Sequence, residues 1–480
     1  MKQKEQSRNF KKYGRMAAAA IFWLVVWQLV SMRIETKILF ASPVSVFLKL
    51  GELIQTAVFW HSAAFSFLRI AAGFILALAA GSLLAVISAA CTFLRELISP
   101  LMKLIKAVPV ASFVILALLW VSSRNLSVLI SFLMVLPVIY SNILQGILET
   151  DHRLLEMAKV FRVSLVRRVR YIYLPSVLPY LVSACSVGLG FCWKSGVAAE
   201  VIGIPNGSIG RQLYEAKLYL MTEDLFAWTF VIVAISVLFE KLIMAGIRCA
   251  VRKISQAGMR GSMARNPEQS DGKKCGENER AVKVQASPAP QIRVQNLSKS
   301  FSNQSVIDNL TLTFQAGRIT CVMGQSGIGK TTLINLLMGL IKPDSGRIEG
   351  LENAGIAAVF QEDRLCEGLD ALGNVALTAA PGVTAEQILE ALTEVGITEG
   401  TGKPVSEFSG GMKRRTAIVR AAYAQSRVVF LDEPFKGLDE ERKEAVMDWL
   451  ARHVAGKTVV LITHEESEVR KLNAVRVNMK

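Results

Sequence analysis

The fold of the C-terminal region is decided by one glycine-rich stretch, Gly324-Gln325-Ser326-Gly327-Ile328-Gly329-Lys330-Thr331-Thr332. Residues 318–323 before it, mostly apolar, favour a buried strand, and residues 333–338 after it favour an apolar helix. Glycines let consecutive backbone N–H groups surround phosphates, while a lysine and a hydroxyl serve the outer phosphates and Mg²⁺. The whole stretch is therefore predicted to be a nucleotide phosphate-binding loop between a strand and a helix.

The composition favours a membrane protein. Of the 480 residues, 52% are apolar, more than in an ordinary soluble domain. The net charge of +16 lies largely beside apolar stretches, where cytoplasmic loops of membrane proteins carry excess Lys and Arg, so nucleic-acid binding is not expected. The seven cysteines form no Cys-x-x-Cys pair, which indicates neither a disulfide framework nor a zinc site.

Apolar stretches in the N-terminal region are each about long enough to cross a bilayer. The six of them are residues 16–32, 70–91, 107–122, 127–148, 177–195 and 226–247. Basic residues precede the first stretch and dominate 149–175. The N-terminus and the segments 92–106 and 149–175 are therefore predicted on the inner side of the cytoplasmic membrane.

Two features of this region are less regular. Residues 38–62 are amphipathic and contain Ser42-Pro43, so we expect them to lie along the outer surface rather than to cross. Lys194 and Glu200, near the end of the fifth stretch, would mark a pathway if they lay at membrane depth. The interpretation that both lie at the outer interface is favoured.

The chain divides into three predicted regions. Residues 1–251 form an all-α transmembrane domain of six helices, and residues 252–290, which are charged and rich in Gly, Ser, Asn and Pro, form a flexible linker. Residues 291–480 alternate short apolar strands with helical patterns, as expected for an α/β P-loop NTPase domain.

A buried strand at 428–433 ends in two carboxylates, Asp432 and Glu433. Beside the phosphate loop, Asp432 would help to hold Mg²⁺, and Glu433 would polarise the water that attacks the γ-phosphate. The alternative is that the acidic pair only caps the next helix. The presence of the loop favours the catalytic interpretation.

Several elements in order resemble the nucleotide-binding domain of an ATP-binding-cassette (ABC) transporter. They are the loop 324–332, Gln361, Ser409-Gly410-Gly411-Met412, Asp432-Glu433, Gly437-Leu438-Asp439 and His464. The resemblance implies a head-to-tail dimer that holds each ATP between the phosphate loop of one subunit and Ser409, Gly410 and Gly411 of the other. A serine hydroxyl and backbone N–H groups at a helix start can bind a γ-phosphate.

The same resemblance implies roles for further residues. Phe301 would stack on adenine, His464 would contact the γ-phosphate, and Asp439 would belong to the ATP site. Thr331, Gln361 and Asp432 would hold Mg²⁺. Gln361 would also belong to the catalytic residues, with Glu433 and His464, and would link the site to the membrane domain. The segment Ser409-Gly410-Gly411-Met412 is called the signature below. Its last residue, Met412, is the form that resembles importers of the nitrate, sulfonate and taurine type.

A loop of the N-terminal region resembles the docking loop of binding-protein-dependent permeases. Its matching residues are Glu156, Ala158, Arg162, Leu174 and Pro175. Met157 and Arg162 depart from the pattern, which usually has Ala and Gly at these positions. A solvated basic helix would be the default interpretation of this segment without an attached ATPase.

The resemblance implies an ATP-driven, Mg²⁺-dependent importer in which permease and ATPase are fused in one chain. We expect a homodimer in the cytoplasmic membrane that receives a small solute from an extracytoplasmic solute-binding protein. The transported small molecule is not identified by the sequence, beyond nitrate-, sulfonate- or taurine-like anions or pyrimidine precursors. The alternatives are an ABC exporter half, which needs longer cytoplasmic helices, and a non-transporting ATP-gated scaffold or signalling subunit.

Overall fold

The computed structural model describes residues 2–33, 40–263, 288–302, 304–325, 327–398 and 402–479. The chain forms two compact units. The first unit consists of Met1–Glu149 and Val177–Cys249, and the second of Thr150–Ser176 and Ala250–Lys480. The loop 149–175 of the sequence analysis therefore folds with the C-terminal residues of its own chain.

The N-terminal region is helical, as predicted. Its helices are α1 (Lys2–Arg33), α2 (Pro43–Ile54), α3 (Ala57–Ala90), α4 (Thr92–Ala107), α5 (Val110–Ala117), α6 (Ser123–Leu148), α7 (His152–Val160), α8 (Leu165–Arg168), α9 (Leu174–Gly203), α10 (Ile209–Leu218) and α11 (Thr222–Met263), with a π-helical turn at Val169–Tyr173. α11 extends into the predicted linker, whose residues 264–287 lie outside the described residues.

Four helices in the described part of the chain are long and apolar enough to cross a membrane, and a fifth span results if one bent pair counts as one. The predicted span 107–122 is not one continuous helix, since it covers the end of α4 and all of α5. These two helices are bent by 102°, because Pro109 lacks a backbone N–H and disfavours helical geometry in the residue before it. The apolar part of α1, Ile21–Arg33, is shorter than a span.

The second predicted span begins earlier than its hydropathy indicated. α3 starts at Ala57, so the surface segment 38–62 is divided between α2 and the beginning of α3. Ser62 and Ser66 make this stretch look polar in the sequence, yet both are fully buried in the first unit. Burial against neighbouring helices removes the cost of exposing their hydroxyls to lipid.

Glu200 is also buried in the first unit. Its carboxylate accepts a 2.5 Å hydrogen bond from the Ser66 hydroxyl and one of 3.4 Å from the backbone N–H of Gly210. Glu200 is therefore held by neighbouring helices, whereas Lys194 is exposed. The expectation that both lie at the outer interface stays a prediction. Such burial is possible because the helices approach each other closely. A Cβ atom added to Gly73 of α3, for example, would lie only 2.6 Å from the carbonyl oxygen of Val128 in α6.

The second unit has an α/β fold around two sheets. The strands are β1 (Ile292–Phe301), β2 (Gln304–Phe314), β3 (Ile319–Met323), β4 (Ser345–Glu349), β5 (Ile356–Val359), β6 (Val428–Asp432), β7 (Thr458–Ile462) and β8 (Val475–Asn478). The helices after β3 are α12 (Lys330–Leu337), α13 (Ala371–Ala376), α14 (Ala385–Glu394), α15 (Gly410–Tyr423), α16 (Glu440–His453) and α17 (Glu466–Lys471), with a 3₁₀ turn at Val405–Glu407.

The sheet order determines which loops meet. β2-β1-β4 is antiparallel, and β5-β6-β7-β3-β8 is parallel. The residues that follow β3, β6 and β7 therefore leave one edge of the parallel sheet together, as ligand-binding loops do in parallel α/β sheets. Every residue of β6 and β7 is buried, which makes this edge a rigid support.

Candidate functional site

The phosphate loop lies between β3 and α12, as the sequence predicts. The Lys330 ammonium donates hydrogen bonds of 2.8 and 2.9 Å to the carbonyl oxygens of Gly324 and Gln325. Gly329 has φ +98°, and a Cβ there would lie 3.0 Å from the Val306 carbonyl oxygen, so only glycine fits without strain. The lysine is thus held across the loop where it can meet phosphate oxygens; Ser326 lies outside the described residues.

Asp432 ends β6 beside the start of α12. Its side chain is only 5% exposed. Burial raises the pKa of this carboxyl, the neighbouring Glu433 raises it further, and a hydrogen bond from the Thr331 hydroxyl lowers it. A hydroxyl and a carboxylate next to a phosphate loop fit Mg²⁺, which prefers oxygen ligands and usually keeps several waters.

Glu433 and His464 are brought together by the neighbouring strands β6 and β7. The His464 Nε2 atom lies 3.3 Å from Glu433 Oε1, and Lys436 Nζ lies 2.7 Å from Glu433 Oε2. Glu433 has φ +46°, an unfavourable conformation for glutamate, and its N–H donates to the Ile462 carbonyl at 3.0 Å. This geometry presents the carboxylate beside the histidine rather than along the strand.

Gln361 is exposed and follows β5 after Phe360. Arg414 of α15 holds its backbone: one guanidinium nitrogen donates to the Phe360 carbonyl at 2.6 Å and another to the Gln361 carbonyl at 2.5 Å. The Arg414 Nε atom lies 3.1 Å from an oxygen of Asp363. Arg414 was not predicted from the sequence, where only its place in the basic run after Ser409-Gly410-Gly411 marks it.

Ser409 caps the start of α15 by accepting a 3.3 Å hydrogen bond from the Met412 N–H. A Cβ on Gly411 would lie 3.6 Å from the Leu438 side chain, which places the signature beside the segment that ends in Asp439. Asp439 caps α16 through the Arg442 N–H at 3.0 Å. Within one chain, the side chains of Ser409 and Asp439 cap their own helices. Their contacts with ATP stay predictions.

Phe301 is 45% exposed at the end of β1. The Lys299 ammonium lies 5.4 Å from its ring centroid. An aromatic face this accessible is available for stacking on a flat heterocycle. Its assignment to adenine remains a prediction.

Within the second unit, the region Thr150–Ser176 packs against the ATPase residues through α7. Glu156 Oε2 lies 2.7 Å from Arg364 Nη1, and Arg153 lies 2.9 Å from Glu362. Lys159 donates to the Gly339 carbonyl at 2.8 Å. Of the predicted docking residues, Glu156 thus meets the segment that directly follows Gln361.

The remaining predicted docking residues have different environments. Ala158 is fully buried, whereas Leu174 is half-buried and Pro175 exposed at the start of α9. Arg162 has φ +50°. The left-handed conformation costs a residue with a Cβ about 1–2 kcal/mol, which explains why the resembled pattern has glycine here.

Two family profiles match the chain. One, described as "ABC transporter", matches residues 307–436. The other, described as "Binding-protein-dependent transport system inner membrane component", matches residues 77–255. Both matched types of domain therefore occur in one polypeptide.

The C-terminal region is similar to curated ATP-binding proteins. The bicarbonate transport ATP-binding protein CmpD of Synechococcus elongatus is 36% identical over 206 aligned residues, and the match covers 38% of this chain and 74% of that protein. The aliphatic sulfonates import ATP-binding protein SsuB 3 of Pseudomonas savastanoi pv. phaseolicola is 36% identical over 185 aligned residues, and the match covers 37% of this chain and 68% of that protein. A solved structure, the dimeric bacterial ABC transporter cassette MJ0796, aligns at 26% identity and TM-score 0.36 over 39% of this chain and 94% of its own.

Proposed function

Because this chain belongs to the ABC transporter family and carries a permease region and an ATP-binding domain in one polypeptide, we propose that it imports a small solute. The ATPase domain binds and hydrolyses ATP, and the permease helices lie in a membrane. The cytoplasmic membrane, inward transport and coupling of transport to hydrolysis are parts of the proposal. The observation that supports the proposal most directly is the contact of Glu156 with Arg364, because this ion pair joins the permease loop to the Gln361 segment.

Within the ATP site the phosphate loop and Lys330 would hold the β- and γ-phosphates. Thr331, Asp432 and Gln361 would hold Mg²⁺, which neutralises phosphate charge when bound. Glu433 would orient and polarise the attacking water, and the 3.3 Å approach of His464 would keep that carboxylate in place. This assignment is supported by the strand order, which brings all of these groups to one edge of the sheet.

The second half of each ATP site would come from another copy of the chain. Ser409 is exposed at the first turn of α15, where backbone N–H groups have no helical partner and favour anions. A closed C2 dimer places the signature of each chain on the phosphate loop of the other. We therefore propose a homodimer with two shared sites.

The docking contacts provide a route from ATP to the permease. Arg414 joins the signature helix to the carbonyls of Phe360 and Gln361, and Arg364 joins the following turn to Glu156. A rigid-body movement of the ATPase domain would therefore move α7 with it. This movement would switch the permease between outward- and inward-facing states.

Import, rather than export, is supported by the permease match, whose family description names binding-protein dependence. Relatives of the ATPase domain are described as serving bicarbonate and aliphatic sulfonates. We propose that a small anion or a vitamin precursor is delivered by an extracytoplasmic solute-binding protein. An exporter half would need long cytoplasmic extensions of its helices, whereas 92–106 and 149–175 are short.

The direct test uses the full chain in lipid nanodiscs, which expose both membrane faces. The solute-binding protein encoded beside this gene is added with and without the ligand that raises its melting temperature. The loaded binding protein should stimulate ATPase activity several-fold, and the Glu156→Arg variant should lose that stimulation. ATPase activity indifferent to every loaded binding protein, together with ATP-driven efflux from vesicles, would contradict the import proposal.

A further inference from the structure

A large cleft in the second unit lies between the region Thr150–Ser176 and the ATPase core. Its volume is about 2060 Å³, more than the roughly 300–1,000 Å³ of a typical small-molecule site. Six basic side chains line it: Arg162, Arg167, Arg170, Arg427, His453 and Lys457. We call this feature the basic cleft.

Acidic residues do not balance these cations in the part of the chain that the structure describes. There, no Asp or Glu lines the basic cleft. Among the described residues, none of the four arginines or Lys457 forms a salt bridge with a carboxylate. Like charges gathered around one cleft repel one another. An anion inside would remove that repulsion.

The opposite walls come from different parts of the fold. Arg162, Arg167 and Arg170 belong to the permease loop, whereas Arg427 and Lys457 directly precede β6 and β7. A positively charged inner loop alone is explained by membrane orientation. That rule gives no reason for two further cations on the facing ATPase wall, so the convergence points to a ligand.

Main-chain carbonyls orient several of these cations without neutralising them. Arg167 donates to the Leu377 carbonyl at 3.1 Å, Arg427 to the Asn353 carbonyl at 2.9 Å, and Lys457 to the Ala422 carbonyl at 3.0 Å. Burial lowers the pKa of Lys457, as expected for an ammonium without a nearby carboxylate. Guanidinium groups fixed in this way retain N–H donors for phosphate oxygens.

Arg162 adds an independent observation. Its φ of +50° is a conformation that glycine adopts without strain, yet this chain has an arginine there. Strained non-glycine residues are found preferentially at ligand-binding and switch regions. This strained residue supplies one of the four guanidinium groups of the basic cleft.

We propose that the basic cleft binds a phosphate group, carried either by an anionic phospholipid headgroup or by a soluble phosphate. The site is distinct from the ATP site, because it lies at the amino ends of β6 and β7 while the phosphate loop, Asp432 and His464 lie at the carboxyl ends. The inference goes beyond solute import and does not depend on the direction of transport. Its ligand would tie the permease loop to the ATPase domain.

Thermal unfolding of the purified full chain tests the site. All proteins carry Lys330→Ala, so that phosphate binding at the ATP site does not contribute. One arm compares nanodiscs of phosphatidylcholine alone with nanodiscs that contain phosphatidylglycerol; the other titrates inorganic phosphate against matched chloride in phosphatidylcholine. The test variant is Arg162→Gly with Arg170→Gln. These two arginines are chosen because, among the described residues, neither side chain donates a hydrogen bond to the ATPase core.

The control variant is Arg470→Gln, which removes an exposed cation from α17. We expect at least one anion to raise the melting temperature of the Lys330→Ala protein and of the control, and the test variant to lose at least half of that rise. A rise with phosphatidylglycerol alone identifies the lipid, and a rise with phosphate identifies a soluble ligand. If neither anion raises the melting temperature, or if the test variant retains the full rise, the proposal is wrong. Arg170→Lys keeps the positive charge and should retain the anion-induced rise in melting temperature. This variant therefore distinguishes lost anion binding from lost folding.

Discussion

At the residue scale, Glu433 is the residue proposed to polarise the attacking water. Glu433→Gln should leave ATP binding nearly intact and lower turnover by orders of magnitude, because the amide cannot polarise the attacking water as the carboxylate does. Lys330→Ala should instead weaken ATP binding itself. Nucleotide affinity and steady-state hydrolysis of purified protein separate these effects, and parental turnover in Glu433→Gln would show that the assigned base is wrong.

Asp432 gives a pH-dependent prediction. Burial and Glu433 raise its pKa in the folded protein above the unfolded value of about 3.9. The folded state therefore holds the proton more tightly, and the resulting stability is present at pH below that value and lost as pH rises through the folded pKa. At neutral pH the buried charge destabilises the ligand-free protein.

Asp432→Asn should consequently raise the melting temperature of ligand-free protein at pH 7, with a difference that shrinks toward pH 4. The same variant should show a much smaller stabilisation by MgATP, because it lacks the carboxylate proposed to hold the ion. Scanning calorimetry over this pH range measures both effects. A lower melting temperature for ligand-free Asp432→Asn at pH 7 would contradict the assigned cause of the pKa shift.

At the element scale, the contact between α7 and the turn after β5 is the proposed coupling joint. The Glu156 and Arg364 side chains are 44% and 15% exposed, so the pair should contribute about 1 kcal/mol or less to stability. Glu156→Arg should therefore barely change the melting temperature but abolish stimulation by a loaded binding protein. The exchange Glu156→Arg with Arg364→Glu should restore part of it; stimulation that survives in Glu156→Arg would exclude this ion pair as the joint.

Helices, strands and loops were predictable where a short stretch of sequence determines them. The phosphate loop, the α/β alternation and the strand before Asp432 follow from short patterns. The bend at Pro109 and the early start of α3 did not follow from hydropathy, since one depends on a single proline and the other on serines buried by distant helices. Arg414 and the basic cleft depend on contacts between residues far apart in the chain, which periodicity cannot indicate.

At the scale of the whole molecule, the import proposal requires a fixed orientation in the membrane. Residues 196–225 should be external, and the linker 252–290 cytoplasmic. In a cysteine-free background, a membrane-impermeant thiol reagent added to intact cells should label a cysteine at position 206, where Asn206 is exposed, and miss one at position 270, which lies outside the described residues. The reverse labelling would place the region 149–175 on the wrong side to dock.

The central claim for the whole molecule is that two copies share each ATP site. Mixed dimers of Ser409→Arg chains and Lys330→Ala chains, each carrying Glu433→Gln to prevent turnover, isolate this claim. In a shared arrangement one site has both elements intact and the other has both damaged. If each chain completed its own site, every site in the mixed dimer would be damaged.

The decisive measurement is the number of ATP molecules that stay bound to doubly tagged, tandem-purified mixed dimers after rapid desalting. We predict one ATP per mixed dimer, two per Glu433→Gln dimer, and none for dimers in which both chains carry Ser409→Arg or both carry Lys330→Ala. A mixed dimer that retains no ATP, or a monomer that hydrolyses ATP at the full rate, would contradict the shared site.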